Sequence, residues 1–363
     1  MLDRLDRLRA NDPADMEGRI REFPEQCLVA WETAGHSPLP AARGLQQVAI
    51  FGMGGSAIGA DLVRALTEDD ARLPIIVIRD YAPPRWVGRG TLAIGVSYSG
   101  TTEETLSAMD AAIRAGATPL ALSCGGPLAD LVTAAGGTHL PITYHAKPRA
   151  ALAHLFLPLL RVLSRLGIVD DRARELADAV PALQTARDAW AVESPQAANA
   201  AKLLALELQD RLPVFVAGGR LAPVATRWKG QVNENAEGWA IAEALPEMNH
   251  NVVVGFGLPA AVATLVDVVF LSSPLQPERI RRRERATADL LDQAGLRHRT
   301  ISSDGRSPLA DQLHLIHLGD WVSYYLAGLR GVDPTRMDPI DRLKAALAAS
   351  SGEARGWRHP PAP

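Results

Sequence analysis

Cysteine and lysine are both scarce in this sequence. Of its 363 residues two are cysteine, Cys27 and Cys124, and four are lysine, Lys147, Lys202, Lys229 and Lys344. Two cysteines with no partner spacing exclude a disulfide framework or a cysteine zinc site, and both are expected to be reduced. Arginine supplies every other cationic side chain, so an isolated arginine says little about function here and a lysine slightly more. Long apolar runs are missing too: nothing approaches the roughly 20 apolar residues a membrane span needs, and "MLDRLDRLRANDPADMEGRI" has no signal-type stretch. A cytoplasmic location is expected, with no membrane partner. The formal net charge of −3, with no strongly basic domain-sized stretch, excludes nucleic acid as the expected partner.

What remains is the balance of a globular chain, 47% hydrophobic and 22% charged, long enough for two domains. After a helical lead-in, β-rich apolar runs alternate with helical patterns: "QVAIFG", "AIGADLVRAL", "PIIVIRD", "TLAIGVS", "TEETLSAMDAAIRAG", "PLALS", "LADLVTAAG" and "THLPIT". Such alternation predicts an α/β fold, a parallel sheet with helices on both faces. From Ala151 to about Leu212 the pattern is helical. "LPVFVAGG" then restarts the alternation, with "NVVVGF", "VDVVFLSS" and "RHRTISS" as further strands. "VFVAGG" answers "AIFGMGG" and "VVFLSSP" answers "AIGVSYSG", a weak internal duplication. The expected organisation is two doubly wound parallel-sheet domains, 1–150 with the helical lead-in and 151–330 with a helical linker. A C-terminal helix follows at 331–349, carrying Lys344, and then a flexible tail at 350–363.

Glycines in "IFGMGGSAIGADLV" fall where a strand should end and a helix begin. Gly52, Gly54 and Ala57 satisfy the Gly-x-Gly-x-x-Gly/Ala form of a dinucleotide turn, with Asp80 after the next strand available as the ribose acid. Against that, Gly54, Gly55 and Ser56 offer amides and a hydroxyl at a helix N-terminus, which suits a terminal phosphate. In "VSYSGTTEETL", Ser97, Ser99, Thr101 and Thr102 bring four hydroxyls to a second strand end and helix start. A capping box of Thr101 with Glu104 would explain part of this cluster but not Ser97 and Ser99. No Gly-x-x-x-x-Gly-Lys-Ser/Thr motif supports nucleotide triphosphate hydrolysis.

The Gly-Gly-Ser turn and "SYSGTTEET" resemble the sugar isomerase (SIS) domain family, in which two such loops jointly hold a sugar phosphate; Thr101 stands where relatives commonly have asparagine. Gly54, Gly55, Ser56, Ser97, Ser99 and Thr102 are then the expected phosphate-binding residues.

The polar stretch "KGQVNENAEGWAIAEALPEMNHN" holds Glu234 between Asn233 and Asn235 and His250 between Asn249 and Asn251. An acid flanked by carboxamides can be oriented without being neutralised, as a general base requires, and a histidine near its normal pKa suits proton transfer to a sugar ring oxygen. A helix end and a turn, using asparagines as caps, is the plain alternative. Together with "KPRAAL" and "GVDPTRMDPIDRLK", "NEN" and "LPEMNHN" are similar to the bifunctional phosphoglucose/phosphomannose isomerases, a branch with two SIS domains; the similarity runs from about Gly52 to Lys344.

That resemblance implies an aldose–ketose isomerase acting on glucose 6-phosphate and fructose 6-phosphate, with mannose 6-phosphate as a further candidate. It makes Glu234 the base that moves a proton between C1 and C2, Arg149 the group opposing enediolate charge, and His250 and Lys344 the groups assisting ring opening. It further implies no metal, no redox cofactor, and a homodimer in which His250 reaches the neighbouring subunit's site. On composition alone Arg149 would be a surface arginine and Lys344 a solvated one. Glu237 and Glu243 could substitute for Glu234, and His314 and His317 read as helix-face residues rather than metal ligands. The rival from another class is a sugar-phosphate sensor that keeps the phosphate loops without the chemistry.

Overall fold

In a computed structural model that describes residues 2–350, two separate parallel sheets carry the chain. Helices α1 (Leu5–Ala10), α2 (Met16–Arg21) and α3 (Phe23–His36) lead in. The first sheet then alternates β1 (Gln47–Phe51), α4 (Gly54–Leu66), β2 (Ile75–Ile78), β3 (Thr91–Val96), α5 (Glu103–Arg114), β4 (Thr118–Ser123), α6 (Pro127–Ala134) and β5 (Thr138–Pro141). A 3-10 turn at Pro148–Ala150 opens into α7 (Leu152–Arg165), followed by α8 (Ala173–Trp190) and α9 (Ala200–Leu208). The second sheet uses β6 (Leu212–Gly218), α10 (Ala222–Asn235), β7 (Ile241–Leu245), α11 (Ala261–Leu265), β8 (Val266–Ser272), α12 (Glu278–Gln293) and β9 (Arg297–Ser302). The chain closes with α13 (Pro308–Arg330) and α14 (Asp338–Ser350). The expected tail beyond 350 lies outside the described residues.

Strand orders are β2-β1-β3-β4-β5 and β7-β6-β8-β9, every pair parallel. Both are doubly wound, and in each the order reverses beside the first strand, which opens a crevice between the turns that leave the two central strands. β3 and β8 are buried along their whole length, as continuous apolar runs in covered parallel strands should be. One cluster of buried side chains runs from the first sheet through α7 and α13 to the second, and smaller clusters fill the far faces under α5 and α6 and under α12. The aromatics of α13, Trp321, Tyr324 and Tyr325, lie in this shared core.

One expected strand is absent. "NVVVGF" forms a 3-10 turn at Val252–Gly255, capped by the Asn251 side chain on the Val252 amide, and Val254 is 87% exposed. Its apolarity is therefore not the mark of a covered strand. The edge position is taken by β7, the "IAEAL" run inside the polar stretch, whose side chains are largely uncovered. Edge strands do not need the apolar run that identifies central ones.

α7 packs on α3 and α4, so the helix after the 3-10 turn covers the first sheet. The α4–α7 crossing is close: a Cβ added at Gly59 would stand 2.6 Å from the Leu155 carbonyl oxygen. Backbone cannot yield as a side-chain tip does. Gly59→Ala is expected to lower stability by about 1–3 kcal/mol despite alanine's better helix propensity, read as a lower urea midpoint at unchanged slope.

Two buried imidazoles give a pH dependence. Burial pulls His154, stacked on Tyr144, down to about 4 and His317 to about 3, from an ordinary value of 6.5. The folded state thus favours the neutral rings, a contribution complete above pH 6.5 and lost as pH falls toward 4. The denaturation midpoint should drop between about pH 7 and pH 5, and by less in His154→Phe, which removes one of the two groups.

Candidate functional site

At the crevice of the first sheet, α4 begins at Gly54, whose φ of +49° lets the chain leave β1 and turn at once into a helix. Neither α4 nor α5 has a side-chain cap at its N-terminus. The hydroxyls that could have capped α5 are turned on one another: Ser97 Oγ lies 2.8 Å from Thr102 Oγ1, and Ser99 Oγ 2.8 Å from Thr101 Oγ1. The alternative capping box of Thr101 with Glu104 is not formed, because Thr102 is the residue at the N-cap position. Two open helix starts and a ring of hydroxyls side by side form an anion-binding geometry. The Tyr98 amide donates to Ser56 Oγ at 3.2 Å and so joins the two turns. Ser56 and Ser97 are buried, while Ser99 is exposed.

The Gly55 turn also touches the 3-10 turn that carries Arg149. An added Cβ at Gly55 would lie 3.6 Å from Pro148 Cβ and 3.7 Å from the Arg149 amide nitrogen. Arg149 is not the surface arginine that composition suggests; it is 1% exposed. Its Nε donates to Asn235 Oδ1 at 2.6 Å, its Nη2 to the Pro334 carbonyl at 2.5 Å, and its Nη1 contacts Met337 Sδ at 2.8 Å. The same Nη1 stands 3.5 Å from Glu234 Oε2, whose side chain is 32% exposed. Burial lowers the Arg149 pKa and Glu234 opposes that shift. A desolvated cation beside a partly exposed carboxylate is suited to a proton-transfer site in which negative charge develops on a substrate lying against the pair.

Behind this pair lies a buried polar network. Asn235 Nδ2 donates to Ser323 Oγ at 2.9 Å. Arg227 Nη2 donates to the Arg149 carbonyl at 2.5 Å and to Asp320 Oδ1 at 3.0 Å, and Gln231 Nε2 donates to the same Asp320 oxygen at 2.7 Å. Burial raises the Asp320 pKa against the pull of Arg227 and Gln231. α10 therefore presents Arg227, Gln231, Glu234 and Asn235 toward the Arg149 turn and α13. The amides beside Glu234 do not bind it: Asn235 holds Arg149, and Asn233 Nδ2 donates to the Gly238 carbonyl at 2.7 Å, closing the turn after the helix.

His250 ends a 3-10 turn after β7 and is exposed. Its neighbours fasten that turn: Asn249 binds Thr287 of α12 and Asn251 binds Glu247. Lys344 is exposed on α14, whose approach is tied to Arg149 through Pro334 and Met337. Among the described residues, neither His250 nor Lys344 shares a hydrogen bond or ion pair with Glu234 or Arg149. Within one chain the structure brings together the 54–56 and 97–102 turns, Arg149 and Glu234, and shows no such contact for His250 or Lys344 among the described residues. Sequence reasoning missed Tyr98, Asp320 and Arg227, and it gave Asn235 to Glu234 where the structure gives it to Arg149. Helical spacing of polar residues along α10 was the available signal for Arg227. Among the described residues no cluster of His, Cys, Asp and Glu is arranged to hold a metal ion.

The second sheet repeats the turn geometry with its hydroxyls engaged by other side chains of the protein. Gly219 has φ +51° at the place of Gly54, and Phe51 pairs with Gly95 as Val216 pairs with Phe270, so Ser272 stands in the register of Ser97. Here Ser272 donates to Glu284 Oε2 at 2.6 Å, the Gln276 amide donates to the Gly218 carbonyl at 3.1 Å, and Pro277 replaces the N-cap threonine. Side chains of the protein close this crevice.

Residues 197–347 match the bacterial phospho-glucose isomerase C-terminal SIS domain. The bifunctional phosphoglucose/phosphomannose isomerase of Caldicellulosiruptor bescii is 38% identical over 331 residues, 91% of this chain and 98% of that protein. Its counterpart in Aquifex aeolicus is 33% identical, over 83% of this chain and 90% of that one. In fold, a hypothetical protein from Thermus thermophilus is similar with a TM-score of 0.72 at 19% identity, covering 97% of this chain and 94% of the other.

Asn235→Ala removes the acceptor for a buried guanidinium nitrogen and the partner of Ser323. The expected loss is about 2–3 kcal/mol of unfolding free energy, measured by urea denaturation, while Asn233→Ala, at a half-buried position, should cost less.

Proposed function

The chain belongs to the bifunctional phosphoglucose/phosphomannose isomerase family, and from that premise we propose that it interconverts glucose 6-phosphate and fructose 6-phosphate, and mannose 6-phosphate as well, as a cytoplasmic enzyme. The observation that carries this reading is the placement of the Glu234 carboxylate 3.5 Å from a buried Arg149 whose turn abuts Gly55. Gly54, Gly55, Ser56, Ser97, Ser99 and Thr102 hold the phosphate. The open-chain sugar then extends toward Glu234, which takes the proton from C2 and returns it at C1. The cis-enediolate formed between these steps bears its charge on O1 and O2, beside Arg149, and the hydroxyl proton passes from O2 to O1 before C1 is protonated. Glucose and mannose 6-phosphates yield the same enediolate and differ in the face of C2 that is protonated, so one base serves both when the enediolate turns about the C2–C3 bond to present either face.

His250 and Lys344 assist ring opening, and His250 does so in the site of a second copy. Support for a homodimer comes from the surface near His250 in the chain, where the apolar side chains of Trp239, Val254 and Leu258 are all largely exposed beside an edge strand. Labour divides along the chain: residues 1–150 hold the anion, 151–330 supply base and histidine, and 331–349 the lysine.

Glu234→Gln is nearly isosteric and should lower kcat by about 10³-fold with KM little changed, and wild-type turnover of fructose 6-phosphate should persist in EDTA. A folded Glu234→Gln protein with full turnover overturns the assignment.

A further inference from the structure

The geometry points to Tyr98 as a positioning residue that makes the placement of Arg149 depend on an occupied phosphate clamp. The inference rests on the phosphate reading given above. Tyr98 lies between two clamp hydroxyls, Ser97 and Ser99, and its amide already binds a third, Ser56 Oγ. Its side chain leaves the clamp. The phenol donates to the Tyr144 carbonyl at 2.5 Å and accepts from the Ala146 amide at 2.7 Å. Burial raises the phenol's pKa, so the group is a donor throughout the neutral range.

The segment it grips leads directly into the Arg149 turn, where the Ala150 amide donates to the Lys147 carbonyl. On its far side the segment is held by the lead-in helices: the Tyr144 hydroxyl donates to Glu22 Oε2 at 2.8 Å and accepts from Gln26 Nε2 at 3.0 Å, and its ring stacks on buried His154. Residues 144–149 are thus a strap fixed at one end to α3 and at the other to α7, with Tyr98 pinning its middle to the phosphate loop.

An anion in the clamp draws the hydroxyls and amides of 97–102 into one arrangement, and Tyr98 transmits that arrangement to the strap. The part of the substrate that does not react then helps to align the group opposing charge at the part that does. Misplacement of such a group by about 1 Å costs up to about 10²-fold in rate.

Tyr98→Phe keeps the ring and removes both bonds to the strap. In the wild type, inorganic phosphate should slow hydrogen–deuterium exchange both in the clamp loops and in 144–151. In Tyr98→Phe phosphate should bind within about twofold of wild-type affinity and protect the clamp loops, yet leave 144–151 unprotected. With fructose 6-phosphate kcat should fall about tenfold at nearly constant KM, whereas a purely structural role would lower the melting temperature and leave kcat intact. Equal phosphate protection of 144–151 in wild type and variant overturns the inference, as does a loss carried by KM alone. A wild type that binds phosphate without isomerising sinks the isomerase reading, and the exchange experiment still decides this one.

Discussion

A buried guanidinium is the constraint around which this molecule is arranged. A cation taken out of water is tolerated only where hydrogen-bond acceptors replace the solvent it loses. Arg149 finds its acceptors on separate parts of the chain: Asn235 at the end of α10, the carbonyl of Pro334 before α14, and across from them the carboxylate of Glu234. Each of those parts must in turn be held. Ser323 and Asp320 of α13 fix α10 through Asn235, Gln231 and Arg227, and Arg227 reaches back to the carbonyl of Arg149 itself. The long aromatic helix is therefore more than filler between two sheets, since its polar residues close the network.

Most strands were legible because covered parallel strands must be apolar along their length, and β1, β3, β4, β6 and β8 are. The same rule fails at the edge. "NVVVGF" has the composition of a covered strand and is an exposed turn, while "IAEAL", short and largely uncovered, pairs with β6. The hydroxyl cluster was legible as an excess over what a capping box needs, and the structure leaves those hydroxyls uncommitted to capping. The "NEN" triplet was legible as a site but not in its workings: the asparagines govern Arg149 and the following turn rather than the glutamate between them. Tyr98 could not be singled out, because its partners are backbone atoms some 46 and 48 residues away, which no side-chain pattern records.

The two halves show how alike folds come to differ. Their central strands share order, register and a left-handed glycine at the same step. In the second half a carboxylate accepts from the serine that answers Ser97, and burial raises its pKa. A glutamine bridges to the glycine turn, and a proline takes the place of the threonine that faces Ser97. Glu284, Gln276 and Pro277 thus occupy the second crevice where the first leaves its hydroxyls facing one another. The second sheet instead sends its following helix, α10, to the Arg149 turn of the first half.

The close crossing of α4 and α7 at Gly59 has a further consequence. Gly55 lies in the first turn of one of these helices and Arg149 in the 3-10 turn that leads into the other, both at the same end of the pair. Because the helices meet backbone to backbone, their spacing at this crossing is set by main-chain contact, with no side chain between them to change rotamer. The distance from the Gly55 turn to the Arg149 turn is thereby fixed by the packing of main chain on main chain.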